Sequence, residues 1–151
     1  MRDDAAISEQ PVYAGNLNKV GMTKQSPPQD PEEQHMIIGV GIDLIEVARV
    51  QKAIERNSRF VDRVFTEREI RYSEGKKSRF EHLAARFAVK EAFFKAIGQR
   101  IAWADVETTN LPSGQPQVTL LAKNVYGFTR SHVTISHTAE YATAMVVLER
   151  D

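Results

Sequence analysis

The alternation of apolar and polar residues becomes regular near position 38. Three branched residues there alternate with two glycines and Asp43, which is the period of two expected for a β-strand. From Leu44 the apolar residues recur at helical spacing until about Asn57. The strand residues are Ile38, Val40 and Ile42, and the helix residues are Val47, Val50 and Ile54. The pattern therefore predicts a strand followed directly by a helix, with Asp43 at the junction.

Two capping signals predict two further helices. Thr66 and Glu69 have the spacing of a capping box for a short helix. Ser78 begins a second such signal, before a longer helix over about residues 79–97. Gly98 follows where a left-handed C-terminal cap is expected. The predicted buried stripe of this long helix is Leu83, Phe87, Phe94 and Ile97.

The last third of the chain alternates mainly as strands. Residues 104–109 and 117–120 predict two strands around a turn, and residues 121–126 a short helix. Residues 132–136 and 141–148 predict two late strands whose connection is too short for a parallel crossover. We therefore expect an α+β fold in which a small antiparallel sheet packs against the long helix.

The first 35 residues show no sustained periodicity. They contain four prolines and scattered acidic residues, a composition that buries too little apolar surface to offset the entropy of ordering. We interpret residues 1–35 as a flexible leader and residues 36–151 as the folded domain. Met36 stands directly before the first strong apolar pattern, where an internal start is conceivable.

Composition restricts the chemistry. The 151 residues are 42% hydrophobic, which suits one domain with a real core. Formal net charge is zero, so bulk charge indicates neither a nucleic acid nor a membrane partner. The chain has no cysteine, and no apolar run approaches the roughly 20 residues that span a bilayer. We expect a cytoplasmic protein whose chemistry uses carboxylates, histidine, lysine or hydroxyl groups.

Three groups of residues can carry such chemistry. Asp43 has space beside its glycines to act as a metal ligand, and it also fits a helix N-cap with Glu46. The long helix carries Arg86 and Lys90, and Glu91 and Lys95, each pair four residues apart; a solvated face with ordinary ion pairs is the simpler interpretation. The polar run at the end of a late strand comprises Ser136, His137 and Thr138. This run can grip a phosphate or simply be solvated, and no Gly-x-Ser-x-Gly motif supports a serine hydrolase.

A cationic stripe follows the predicted first helix. Its basic residues are spaced by three and four, away from the apolar face, and are Arg49, Lys52 and Arg56, with Arg59 and Arg63 beyond. Such stripes are usually solvated surface, but this one is also suited to docking an acidic helix.

Taken in order, these segments resemble the short holo-acyl-carrier-protein synthases of the 4′-phosphopantetheinyl transferase superfamily. The resemblance covers about residues 36–150. The matching segments are Gly39–Leu44, Arg86–Ala92 with Lys95, Trp103–Glu107 with Gly114–Pro116, and Ser136–Thr138 with Tyr141–Ala142. It departs from the family at Gly98-Gln99-Arg100, where many relatives have a glycine-rich segment, and the leader has no family counterpart.

The resemblance implies an activity and its residues. It implies transfer of 4′-phosphopantetheine from coenzyme A to a serine of apo acyl carrier protein, in support of fatty acid biosynthesis, by a homotrimer with active sites between subunits. Asp43 and Glu91 would bind Mg²⁺, a cation that prefers hard oxygen ligands. The residues implied around the phosphates of coenzyme A are Arg86, Lys95, His137 and Thr138. The residues implied to dock the carrier's acidic helix are Arg49, Arg56 and Arg59.

The catalytic roles implied are those of Glu91, Lys95 and His137. Lys95 would serve as a cation beside the pyrophosphate, whereas Glu91, through a water on the metal, and His137 are both candidates for the base that deprotonates the serine. Two other classes stay open at this point, namely a non-catalytic carrier-binding protein and a coenzyme A hydrolase.

Overall fold

The computed structural model describes residues 35–151. Its strands are β1 (Met36–Glu46), β2 (Val106–Asn110), β3 (Pro116–Leu120), β4 (Arg130–His137) and β5 (Tyr141–Arg150). Its helices are α1 (Val47–Arg56), α2 (Arg59–Val64), α3 (Glu67–Glu74) and α4 (Arg79–Ile97), and a short 3₁₀ helix covers Trp103–Asp105. The predicted leader lies, apart from His35, outside the described residues, so its flexibility stays a prediction.

Two antiparallel sheets accompany the long helix. Strand β5 lies between β1 and β4, and β2 pairs with β3 in a separate hairpin. Helix α4 contributes Ala88, Ala92 and Phe93, all fully buried, to a core that also contains Val146 of β5. The predicted α+β fold, with an antiparallel sheet packed against a long helix, is confirmed.

The glycine face of β1 makes the contact with α4. A Cβ atom added to Gly41 would lie 1.9 Å from the carbonyl oxygen of Ala92, and one added to Gly39 would lie 2.1 Å from that of Ala96. The strand thus approaches the helix backbone as closely as only glycine permits. Val40 and Ile42 consequently face away from α4 and are 56% and 62% exposed.

Some predicted boundaries were wrong. Asp43 does not lie at a strand-to-helix junction, because β1 stays paired with β5 as far as Glu46. Glu46, without a side-chain hydrogen bond, takes the N-cap position of α1. Residues 121–126 form no helix; there the amide of Leu121 donates to Asp105, and the Asn124 side chain organises a turn.

The two predicted capping signals had different outcomes. Thr66 and Glu69 form the full reciprocal capping box of α3. Ser78 precedes α4 but makes no side-chain capping bond. Gly98 closes α4 in the left-handed conformation, with φ of 76°, as predicted.

Candidate functional site

One cluster of charged side chains lies where β1 meets α4. The Nζ atom of Lys95 is 2.8 Å from Oδ1 of Asp43 and donates a second bond of 2.7 Å to the main-chain oxygen of Ile42. The Asp43 side chain is 15% exposed. Thr143 of β5 donates its hydroxyl to the main-chain oxygen of Asp43 at 2.7 Å. The backbone that carries the carboxylate is therefore held from both neighbouring elements.

Glu91 lies one helical turn before Lys95 on α4. Its carboxylate, 15% exposed, accepts bonds of 3.1 and 3.3 Å from Nη2 of Arg100. A cleft of ≈ 380 Å³ opens beside it at the C-terminal end of α4. The cleft is lined by Glu91, Phe94, Lys95, Gly98, Gln99 and Arg100.

The donors at this cluster fit Mg²⁺. The side chains of Asp43 and Glu91 are largely buried, and each is paired with one cation. A buried carboxylate needs a positive charge beside it to offset its loss of hydration, and a metal ion can supply that charge. Among residues 35–151 no three His, Cys, Asp or Glu side chains form a metal cage. Mg²⁺ is commonly held by one or two carboxylates together with water and substrate phosphate, and it does not need such a cage.

Arg86 belongs to a second cluster and is not part of a solvated helix face. It is 3% exposed, donates to Oδ1 of Asn110 at 3.1 Å, and stacks over the Tyr72 ring at 4.0 Å. Burial lowers the pKa of its guanidinium, although nearby Glu69 opposes this shift. A pocket of ≈ 180 Å³ beside it is lined in part by Tyr72, Asn110 and His137.

His137 enters this pocket from the end of β4. Its Nδ1 atom lies 3.1 Å from a carboxylate oxygen of Glu81, and its ring meets that of His82 edge to face. Burial, followed by the positive charges of Arg86 and His137, lowers the pKa of His82. The hydroxyl oxygen of Thr138 accepts bonds from the next turn's amides, at Glu140 and Tyr141.

The two clusters lie on opposite sides of α4. Arg86 and Lys95 are nine positions apart, which is about two and a half helical turns, and the extra half turn points them in opposite directions. They are also separated by about 13 Å along the helix axis. Within one chain, Lys95 is brought onto Asp43, and Glu91 lies one helical turn before Lys95 on α4. Arg86 and His137 are brought together with each other, but not with that cluster.

The cationic stripe is confirmed as an exposed surface. Arg49, Lys52 and Arg56 are exposed on α1, and Arg59 and Arg63 are exposed on α2. No salt bridge within the described part of the chain includes any of them. The opposite face of α1 is buried through Val47 and Val50.

A second open surface is apolar. It is the face of the three-stranded sheet that points away from α4, and its exposed residues are Val40, Ile42, Leu44, Tyr141 and Met145. An apolar patch of this kind on one face of a sheet is typical of an interaction surface.

Local sequence patterns missed the buried ion pair beneath the site. Lys90 and Glu69, both with fully buried side chains, are 2.9 Å apart, and Lys90 also donates to the main-chain oxygens of Trp103 and Val106. Burial lowers the pKa of Lys90, whereas Glu69 opposes that shift. The capping box pointed to Glu69, but its long-range partner left no local signal.

Comparison with known proteins places these observations in one family. The model of the 4′-phosphopantetheinyl transferase superfamily matches residues 39–146. The holo-[acyl-carrier-protein] synthases of Koribacter versatilis and Clostridium tetani are 42% and 45% identical; each alignment covers 76% of this chain, and 99% and 97% of those proteins. A Bacillus anthracis holo-(acyl-carrier-protein) synthase, solved with CoA (3′,5′-ADP), superposes with a TM-score of 0.67 and is 36% identical. That superposition covers 77% of this chain and 99% of the other.

No helix in residues 35–151 is long and apolar enough to cross a membrane.

Proposed function

Since the chain belongs to the 4′-phosphopantetheinyl transferase superfamily, we propose that its two charged clusters divide the work of one transfer reaction. The enzyme transfers 4′-phosphopantetheine from coenzyme A to a serine of an acyl carrier protein. The serine oxygen forms a bond to the β-phosphorus, and the bond from that phosphorus to the bridging oxygen breaks. Adenosine 3′,5′-bisphosphate leaves with the bonding electrons.

Asp43 and Glu91 are the proposed Mg²⁺ ligands. When bound, Mg²⁺ would neutralise negative charge that develops on the pyrophosphate. Lys95, already held by Asp43 and Ile42, is placed to supply a fixed positive charge to the same pyrophosphate. The observation that carries this proposal is the position of Lys95, which pairs with Asp43 and lines one cleft together with Glu91.

The pocket at Arg86 is the proposed site for the nucleotide end of coenzyme A. Arg86 and His137 supply cationic or donor groups there. The Thr138 hydroxyl only accepts bonds within residues 35–151, so its proton is available to a ligand. The proton of the carrier serine goes either to Glu91 or to His137. Of these two candidates, His137 is oriented by Glu81.

A homotrimer would unite the two clusters. One molecule of coenzyme A cannot readily contact both sides of a buried helix within one chain, whereas two neighbouring chains can present one cluster each. The exposed apolar face of the sheet is a suitable surface for such an association. We therefore propose that each active site is shared between subunits.

The cationic stripe is the proposed carrier-docking surface. Arg49, Arg56 and Arg59 are exposed and lack an acidic partner among residues 35–151, so an acidic helix can approach them without displacing an internal ion pair. We further propose that residues 36–151 form the complete catalytic domain and that the enzyme acts in the cytoplasm.

The experiment measures the mass of an apo carrier after incubation with coenzyme A, Mg²⁺ and enzyme. The wild-type enzyme should add one phosphopantetheine, and the chelator EDTA should stop the reaction. Asp43→Asn and Glu91→Gln should lose Mg²⁺-dependent transfer yet stay folded. Glu67→Gln is the matched control, since Glu67 is 90% exposed on α3 and pairs with the exposed Arg71.

Three results would change this assignment. Near-normal transfer by either site variant at saturating Mg²⁺ would remove that residue from the metal site. Adenosine bisphosphate released without a gain in carrier mass would indicate a hydrolase, and no reaction at all would indicate a carrier-binding protein.

A further inference from the structure

Arg100 is the second cation of the proposed metal site. It follows the end of α4 at Gly98, and its Nη2 atom lies 3.1 and 3.3 Å from the two carboxylate oxygens of Glu91. Its guanidinium carbon is 5.8 Å from the centre of the Trp103 ring. The segment that follows α4 therefore brings a cation onto a proposed metal ligand.

The two cations of the site are held differently. Lys95 bonds both to Asp43 and to the main-chain oxygen of Ile42, so its ammonium is tied to β1. For Arg100, Glu91 provides the only hydrogen-bond acceptor found in the described residues. Of the two, Arg100 is the cation that can leave at smaller cost.

Exposure points the same way. The Arg100 side chain is 70% exposed, whereas that of Glu91 is 15% exposed. The carboxylate is therefore fixed in the protein and the guanidinium is largely in water. Because the guanidinium is in water, solvent and dissolved salt screen its attraction to the carboxylate, and the pair contributes less free energy than a fully buried one.

We propose that Arg100 is a displaceable counter-ion that competes with Mg²⁺ for Glu91. This inference rests on the proposed metal site. Without metal, the guanidinium neutralises Glu91 and keeps its carboxylate aligned with the cleft. Metal binding requires the guanidinium to leave, so Arg100 weakens the affinity for Mg²⁺ and sets the concentration at which the site fills. Arg100 is thus a positioning residue and contacts no reacting atom.

The test measures metal affinity in the full chain, with Mn²⁺ as an electron paramagnetic resonance probe of the Mg²⁺ site. Arg100→Gln should bind Mn²⁺ about two- to fivefold more tightly than wild type, the range expected for loss of an ion pair whose cation is exposed. Arg100→Lys should restore most of the competition, because it keeps the charge. Arg71→Gln is the matched control, since the Arg71 side chain is also 70% exposed and pairs with Glu67 on α3.

Glu91→Gln separates this inference from the metal site on which it rests. If Glu91→Gln loses Mn²⁺ binding and Arg100→Gln matches the Arg71→Gln control or binds more weakly, the role of Arg100 is refuted and the metal site stands. If Glu91→Gln binds Mn²⁺ like wild type, the metal site fails and the inference fails with it.

The chain offers a second signal that a purely structural role would not produce. Trp103 is its one tryptophan, and Arg100 lies beside its ring. Adding Mg²⁺ to the wild-type protein should change the fluorescence of Trp103 as the guanidinium moves away. Arg100→Gln should bind the metal with little of that change. A fluorescence change as large as that of wild type in this variant would contradict displacement.

Discussion

Replacing Gly41 with alanine tests whether the close contact of β1 with α4 positions the site. The added Cβ atom would lie 1.9 Å from the main-chain oxygen of Ala92, and the nitrogen of Ala96 would be 2.8 Å away. Contacts of a Cβ atom below 3.0 Å are essentially never seen, so strand and helix must separate by about 1 Å. Both obstructing atoms are backbone, and no side-chain rotation can relieve the clash.

This separation should affect stability and activity together. Overpacking of a core typically costs about 1–3 kcal/mol, and a clash with helix backbone belongs at the upper end of that range. A loss of about 3 kcal/mol corresponds to a fall in Tm of roughly 10 °C for a domain of this size. Asp43 lies two positions along the same strand face, and a displacement of about 1 Å in catalytic geometry can cost about a hundredfold in rate.

Thermal melts by circular dichroism and transfer rates below the melting temperature measure both effects. Gly75→Ala is the matched control, because its Cβ would have no neighbour closer than 4.0 Å and its φ of −74° suits alanine. The control should melt close to wild type. A Gly41→Ala protein that melts within about 2 °C of wild type and transfers at a similar rate would refute the reasoning.

Three further predictions concern carrier docking, the leader and acid stability. Reversing Arg49 and Arg56 to Glu should raise the KM for the carrier at least about tenfold and leave that for coenzyme A unchanged; Arg71→Glu is the control, and equal carrier kinetics would contradict docking. A chain that begins at Met36 should keep the activity and Tm of the full chain, as enzyme assays and melts of both can show. The lowered pKa of His82 means that the unfolded chain takes up the proton first, so stability should decline as pH falls below 6.5. Melts at about pH 7.5 and about pH 5.5 should show a smaller decline for His82→Gln, and an equal decline would contradict this origin.

Periodicity predicted most of the fold, because alternation and helical spacing are properties of short segments. The long helix at 79–97 and the capping box at Thr66 were both found in this way. The end of β1 was not predicted correctly, because it depends on pairing with β5, which lies about 100 residues later in the chain. The change of apolar period at Leu44 placed Asp43 at a junction, whereas this pairing keeps it inside the strand.

The candidate site was only partly visible in the sequence for the same reason. The i,i+4 spacing of Glu91 and Lys95 is local, but the bond from Lys95 to Asp43 joins residues 52 positions apart. Arg86 looked like a surface residue because its partners, including Asn110, are distant in the chain. The resemblance to a family supplied the site residues that short-range patterns could not, although it gave no role to Arg100.

The division of charged groups across α4 has a consequence for mixtures of inactive enzymes. Suppose that each site takes Asp43 from one subunit and Arg86 from the next. A subunit that lacks a working Asp43 then still supplies an intact Arg86, and a subunit that lacks a working Arg86 still supplies an intact Asp43. Random reassociation of two such defective variants in equal amounts would regenerate about a quarter of the sites as fully wild type. Genetic complementation between two null alleles of a single gene would then arise from helix geometry alone.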